Sequence, residues 1–242
     1  MADNYGFPSS SAPAPTFAGA VAQQERISAF LARVYGWMFV GLAVTAVVAL
    51  LVAASPLLVR TLVTNRIIFF ALLFGQLGLV WGLSAKVDTL APRTAASLFA
   101  LYSGLNGVTL SIILLAYTGA SVASAFITTS AMFGALAVYG TVTKRSLAGV
   151  GQFVMMGLIG LIVASLVGLF WHNNALQFVI SVVGVIVFTG LTMWDAQRLK
   201  GMALQVEGNQ AASYAVCGAL ALYLDFVNLF LMLLRFMGRG RD

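Results

Sequence analysis

Thr94–Thr143 reads TAASLFALYSGLNGVTLSIILLAYTGASVASAFITTSAMFGALAVYGTVT, 50 consecutive residues without a charge. A helix needs about 20 apolar residues to cross about 30 Å of hydrocarbon, so this stretch is too long for one span and fits two. Tyr117-Thr118-Gly119 near its middle supplies the turn between them. The segment is therefore a hairpin of membrane helices, and the same reading parses the rest of the chain.

Between Arg33 and Arg60 lie 26 uncharged residues, and between Arg66 and Lys86 lie 19, one span each. Ser146 to Trp194 gives 49 more, broken by His172-Asn173-Asn174 into a second hairpin. A last apolar segment, from about Ser213 to Leu234, ends in Arg235, Arg239 and Arg241. The spacing predicts seven spans at about 34–55, 67–85, 95–116, 121–142, 149–171, 175–197 and 212–235. The composition agrees: 61% hydrophobic and 8% charged in 242 residues, with a mean hydropathy of +0.98, is more apolar surface than a soluble core of this size can hide. The fold class is an all-α integral membrane protein whose first partner is the lipid bilayer. Residues 1–24, rich in Ser, Ala and Pro, are expected to be a disordered tail, with 25–242 forming the transmembrane domain. No signal peptide is expected ahead of the first span, whose apolar run is too long for a leader.

The 13 Lys and Arg against 7 Asp and Glu give a net charge of +6. They occur in ones and twos between apolar blocks, too scattered to track a phosphate backbone, so nucleic acid is not an expected partner. Eight of them fall on the side of the N-terminus and five on the other, which by the positive-inside rule makes the N-terminus cytoplasmic. Cys217 is the single cysteine and His172 the single histidine, so no intrachain disulfide and no Cys/His metal site is expected, and no cofactor.

Lipid offers no hydrophobic drive between helices, so small residues such as Gly78, Gly82, Gly104 and Gly107 are read as packing positions. Gln76 and Asn106 are expected to hydrogen-bond to neighbouring helices, with lining of a pathway as the functional alternative. Asp195 and Asp225 are different. They are the only acidic residues inside the long apolar segments, and a carboxyl in hydrocarbon marks a functional site because charge there is expensive. On the seventh span Gly218, Ala221, Asp225, Asn228, Met232 and Arg235 recur at spacings of 3 and 4, one small and polar face along the helix. On the sixth, Ser181, Gly184, Phe188, Thr192 and Asp195 share a face. The two faces are expected to meet, at matching depth only if the sixth helix continues past Asp195 toward Lys200.

The C-terminal string Ala221-Leu222-Tyr223-Leu224-Asp225-Phe226-Val227-Asn228-Leu229-Phe230, followed by Leu233-Leu234-Arg235, closely resembles the signature of the Bax inhibitor-1 (transmembrane Bax inhibitor motif) family. Asn106-Gly107-Val108-Thr109-Leu110 and Thr192-Met193-Trp194-Asp195 support the resemblance by position, and it covers nearly everything after residue 24. The resemblance implies a bundle in which six helices surround the C-terminal seventh, and a pH-sensitive calcium leak governed by an aspartate pair that Asp195 and Asp225 match. It also implies a bacterial inner membrane location. In the family a basic residue at the inner end of the second helix partners the first aspartate, a place held here by Lys86. Arg235 matches the family arginine whose suggested partner is an acid in the second span, where this chain has Gln76.

The chemistry is coherent. Two carboxyls in contact in a dry site cannot both ionise cheaply, so they share a proton and titrate as a unit. Raising the pH separates the charges, and calcium, which prefers carboxylate oxygens, would compete with the proton at Asp195 and Asp225. A second reading is a membrane regulator whose N-terminal tail binds a partner such as a membrane quality-control protease, the aspartates only holding the fold. An intramembrane enzyme is disfavoured, because the Tyr-Asp and Gly-x-Gly-Asp contexts of paired-aspartate membrane proteases are absent around Trp194-Asp195 and Leu224-Asp225.

Overall fold

The computed structural model describes residues 17–171, 173–206 and 208–240. They form helices α1 (Phe17–Ala53), α2 (Pro56–Thr64), α3 (Arg66–Ala85), α4 (Pro92–Ala116), α5 (Gly119–Val142), α6 (Ala148–Phe170), α7 (Asn174–Met202) and α8 (Gly208–Met237). All but α2 are long and apolar enough to cross a membrane, seven spans among the described residues. Helix α2 is not among the seven expected spans. It begins inside the 26-residue uncharged gap and runs on through Arg60: Pro56 ends α1 by blocking its hydrogen bonds and then starts a new helix, since a proline at the first helical position loses nothing.

Two boundaries move. Helix α1 begins at Phe17, so residues 17–24, expected in the tail, are its first two turns. They follow the last proline of the tail and are rich in Ala and Gln, which favour helix. Residues 1–16, His172 and Arg241 lie outside the described residues. Helix α7 runs on to Met202, past the expected end at 197, which meets the depth condition set by the two aspartates.

Side-chain caps place the hairpin turns where the sequence has them. The Thr118 hydroxyl accepts from the Ser121 amide, Asn173 Oδ1 from the Ala175 amide at 2.8 Å, and Asn65 Oδ1 from the amides of Ile67 and Ile68. Each satisfies donors that a helix N-terminus leaves unpaired. The C-terminus doubles back onto the first hairpin: the Thr118 amide donates to Arg239 O, and the Arg239 amide to Ser121 Oγ.

Helix α8 is the axis. Of the apolar 18-residue stretch of each helix, 72% is buried inside the protein in α8, against 44% in α7 and 6% in α3. Helices α1, α4, α5 and α7 pack around it and α3 touches it, while α6 stands mostly behind α7 and joins α8 through Val154, Leu161, Leu229, Met232 and Leu233. Of the four glycines read as packing positions, Gly107 is one: a Cβ there would stand 2.6 Å from Thr45 O on α1. Gly78, Gly82 and Gly104 meet open space. For the first two the reason is that so little of α3 is covered by other helices.

Polar contacts lock α8 on the side away from Asp225. The Tyr223 hydroxyl accepts from Asn106 Nδ2 at 2.7 Å and shares a 2.7 Å hydrogen bond with Thr45 Oγ1, which also reaches Gly41 O and Ser103 O. Phe99 and Tyr102 meet the Tyr223 ring edge to face at 5.6 and 5.8 Å. Tyr223→Phe leaves the buried Asn106 amide without this acceptor and is expected to cost about 1–2 kcal/mol. Denaturant titration in micelles checks this against Tyr102→Phe, which touches the same ring and is expected to be near neutral.

Candidate functional site

Close approach of α7 and α8 builds the site. A Cβ on Gly218 would run into Leu199, and one on Gly184 would stand 2.6 Å from Met232 Sδ. These two contacts set an antiparallel register in which Asp195 and Asp225 fall within a turn of one another. Further along, Ser181 and Arg235 line one cleft. The small and polar faces read from the sequence thus meet along the whole seam, and the aspartates meet on it.

The carboxyls of Asp195 and Asp225 come together on the seam, close enough to act on one another, with the residues only 7% and 5% exposed. Asp195 Oδ1 and Asp225 Oδ2 are buried and meet no hydrogen-bond donor. Orphaned carboxylate oxygens in a native core require a physical explanation. The nearest cation is Arg198, whose Nη2 lies 3.5 Å from Asp195 Oδ1, one helical turn along α7. Its guanidinium also lies over the Trp194 ring, 5.1 Å from the centroid.

Arg198 corrects the assignment of a partner to Lys86. Lys86 is exposed at the end of α3, whereas Arg198 reaches Asp195 because residues three apart on a helix are neighbours. That spacing was present in the sequence, where Arg198 was counted only as a topology charge. Gln76 binds Leu105 O at 3.1 Å and Thr109 Oγ1 at 2.6 Å on α4, as expected of a packing amide. Arg235 is exposed at the far end of the seam with Tyr117 and Gln177, so the structure does not bring Gln76 and Arg235 together. Asn228 donates to Leu224 O of its own helix at 2.8 Å and stays half-buried.

The surroundings of Asp195 are tied down on its other sides. Gly140 of α5 lies directly against Met193 O and Ala196, and Gly151 of α6 leaves the space that the Trp194 indole fills. Beyond the site, Gln197 holds the α5–α6 loop, accepting from the Leu147 amide and donating to Arg145 O, while Lys200 Nζ donates to Thr141 O at 2.7 Å. On α8, Ser213 Oγ donates to Leu90 O at 2.7 Å and the Tyr214 hydroxyl to Asp88 Oδ1.

A cavity of about 210 Å³ opens between α3, α7 and α8 beside the pair. Its wall includes Ser84, Arg198, Tyr214, Cys217, Ala221 and Leu224. A second, of about 420 Å³, lies at the opposite end of the seam by Arg235. Between them Phe188, Leu191, Leu229, Met232 and Leu233 fill the interior as one apolar cluster, which closes the seam. The two carboxylates are hard oxygen ligands of the kind calcium takes. Among the described residues no group of three or more His, Cys, Asp or Glu gathers anywhere.

Residues 27–242 match the family described as inhibitor of apoptosis-promoting Bax1. The chain is 47% identical over 218 residues to the inner membrane protein YbhL of Escherichia coli K12, covering 89% of this chain and 93% of that one. An uncharacterized protein of Deinococcus radiodurans is 42% identical over 219 residues, 90% of this chain and 93% of its own length. One of Borreliella burgdorferi is 41% identical over 215 residues, 88% and 93% respectively. With the aspartate-bearing signature on α8, the seven membrane helices and this near full-length match, the chain belongs to the Bax inhibitor-1 family of membrane proteins.

Proposed function

We propose that this protein is a pH-sensitive calcium, or more broadly cation, leak gated by Asp195 and Asp225, and not an enzyme. The observation that carries the reading is the contact of two buried carboxyls on the seam between α7 and α8, each with an oxygen left without a hydrogen bond. Buried acids that a purely structural seam would replace with apolar residues mark ion pathways. The cavities at the two ends of that seam supply the approaches, and the apolar cluster between them is the barrier that gating must open.

The gate works by charge balance. At rest the pair holds one proton and one negative charge, and Arg198 balances that charge. A second proton cancels the negative charge and releases Arg198. Loss of the shared proton puts two like charges in contact and drives α7 and α8 apart. Both departures loosen the seam, so flux has a minimum at the pH where the pair is singly protonated. Calcium entering the seam replaces the shared proton, so proton and calcium compete. The protein sits in a bacterial inner membrane, in line with the name of its Escherichia coli relative, with its N-terminus in the cytoplasm as the excess of basic residues on that side favours.

The test is calcium flux into dye-loaded proteoliposomes between about pH 5 and 8, for the wild type, Asp195→Asn and Asp225→Asn. A pH-dependent flux that either substitution alters supports the gate. A folded protein that passes no calcium at any pH overturns it and turns attention to protein partners.

A further inference from the structure

We propose that the α2–α3 corner is a binding site for an anionic phospholipid, its phosphate held by Arg60 and Arg66 and one acyl chain laid along α3. Helix α2 has no buried residue. It connects the end of one membrane span to the start of the next, which places it at the edge of the bilayer. Successive residues of a helix turn by about 100°, so Arg60, Thr61 and Thr64 share one arc, with exposed Leu57 among them, while Leu58, Val59, Leu62 and Val63 occupy the other. Val59 and Leu62 are half-buried against the protein, and Leu58 and Val63 are exposed. A short helix with this division lies in the interfacial plane with its apolar side toward the acyl region.

The polar arc opens on a cleft of about 670 Å³ whose wall includes Arg60, Thr61, Thr64, Asn65, Arg66 and Ile67. Both arginines are exposed, and residues 54–87 contain no Asp or Glu to neutralise them. Two arginines in the wall of one cleft offer a phosphate diester charge and paired N–H donors. The acyl track distinguishes a lipid from a free phosphate. Ile67 on the cleft wall begins a row with Phe70, Phe74, Leu77 and Trp81, spaced 3, 4, 3 and 4, so all five share one face of α3 running from the cleft toward the other leaflet. They are 80, 51, 64, 59 and 75% exposed, and the Phe70 and Phe74 rings stack at 6.3 Å. Two arginines and an apolar helix face meeting at Ile67 match the two parts of one lipid molecule.

The site is tested on full-length, delipidated protein in neutral detergent by titrating phosphatidylglycerol, phosphatidylcholine and glycerol phosphate and reading dissociation constants by native mass spectrometry and thermal stabilisation. Phosphatidylglycerol is expected to bind wild type more tightly than phosphatidylcholine. The double variant Arg60→Gln/Arg66→Gln is expected to lose roughly 30-fold of that affinity, at about 1 kcal/mol per surface arginine, while Arg60→Lys/Arg66→Lys keeps most of it. Phe74→Ser is expected to weaken phosphatidylglycerol and leave the weak binding of glycerol phosphate unchanged. Unchanged lipid preference in a folded Arg60→Gln/Arg66→Gln protein overturns the site. Equal stabilisation by phosphatidylcholine, or by glycerol phosphate, overturns the assignment of an anionic lipid as its occupant.

Discussion

Asp225→Asn in proteoliposomes is expected to pass calcium at a rate that no longer rises on the alkaline side of the wild-type minimum. The wild type is expected to vary by about tenfold or more between its minimum and the ends of the range, since a change of about 1.4 kcal/mol in the open–closed balance is enough. An amide has the carboxyl's shape but no proton to lose, and Asp195 facing it no longer meets a like charge. Asp195→Asn is expected to flatten the same alkaline limb, and the double variant to add almost nothing there, because residues that act as one titrating unit are strongly non-additive. Arg198→Gln separates the balancing charge from the pair itself. It leaves both carboxyls in place and removes the cation 3.5 Å from Asp195 Oδ1, so flux is expected to rise at the wild-type minimum while some pH dependence survives. A double variant whose profile still matches wild type would show that the two aspartates serve only packing.

Gly140→Leu is expected to leave little folded protein in mild detergent. A Cβ at Gly140 would run directly into Met193 O and stand 3.0 Å from Ala196 Cβ. The first of these is backbone and has no rotamer to yield. The helices must separate, at a cost of about 3 kcal/mol or more, a large part of the margin of a folded domain. The separation falls two residues from Asp195 on α7, so surviving protein is also expected to leak without regard to pH. Gly78→Leu supplies the comparison: nothing lies within 4 Å of that position, and folding is expected to be unchanged. The folded fraction by size exclusion in the two variants decides the matter. Equal recovery would mean that the contact of α5 with α7 is looser than the structure has it.

The aspartate pairing was legible because charge in an apolar segment stands out and the helical repeat puts Asp195 and Asp225 each on a face of small residues. The span count was legible for the same reason, charges being confined to the ends of spans. The restart at Pro56 was hidden, since α2 interrupts no apolar run and carries a single charge, Arg60, that served equally well as the end of a span. The partner of Asp195 was misplaced because the family resemblance pointed to the second span and Lys86, while the local three-residue spacing pointed to Arg198. Gly78 and Gly82 were misread because a small residue on a membrane helix is packing only where a second helix arrives.

By itself, then, the sequence determined a membrane protein of seven apolar helices with two carboxyls aligned to meet, since hydropathy, charge position and the helical period are properties of the chain alone. Which glycines bear another backbone, which cation faces Asp195 and which arginines share a cleft were decided only by the tertiary structure. These depend on which faces of which helices come into contact, and between helices that are apolar all round, periodicity says little about that.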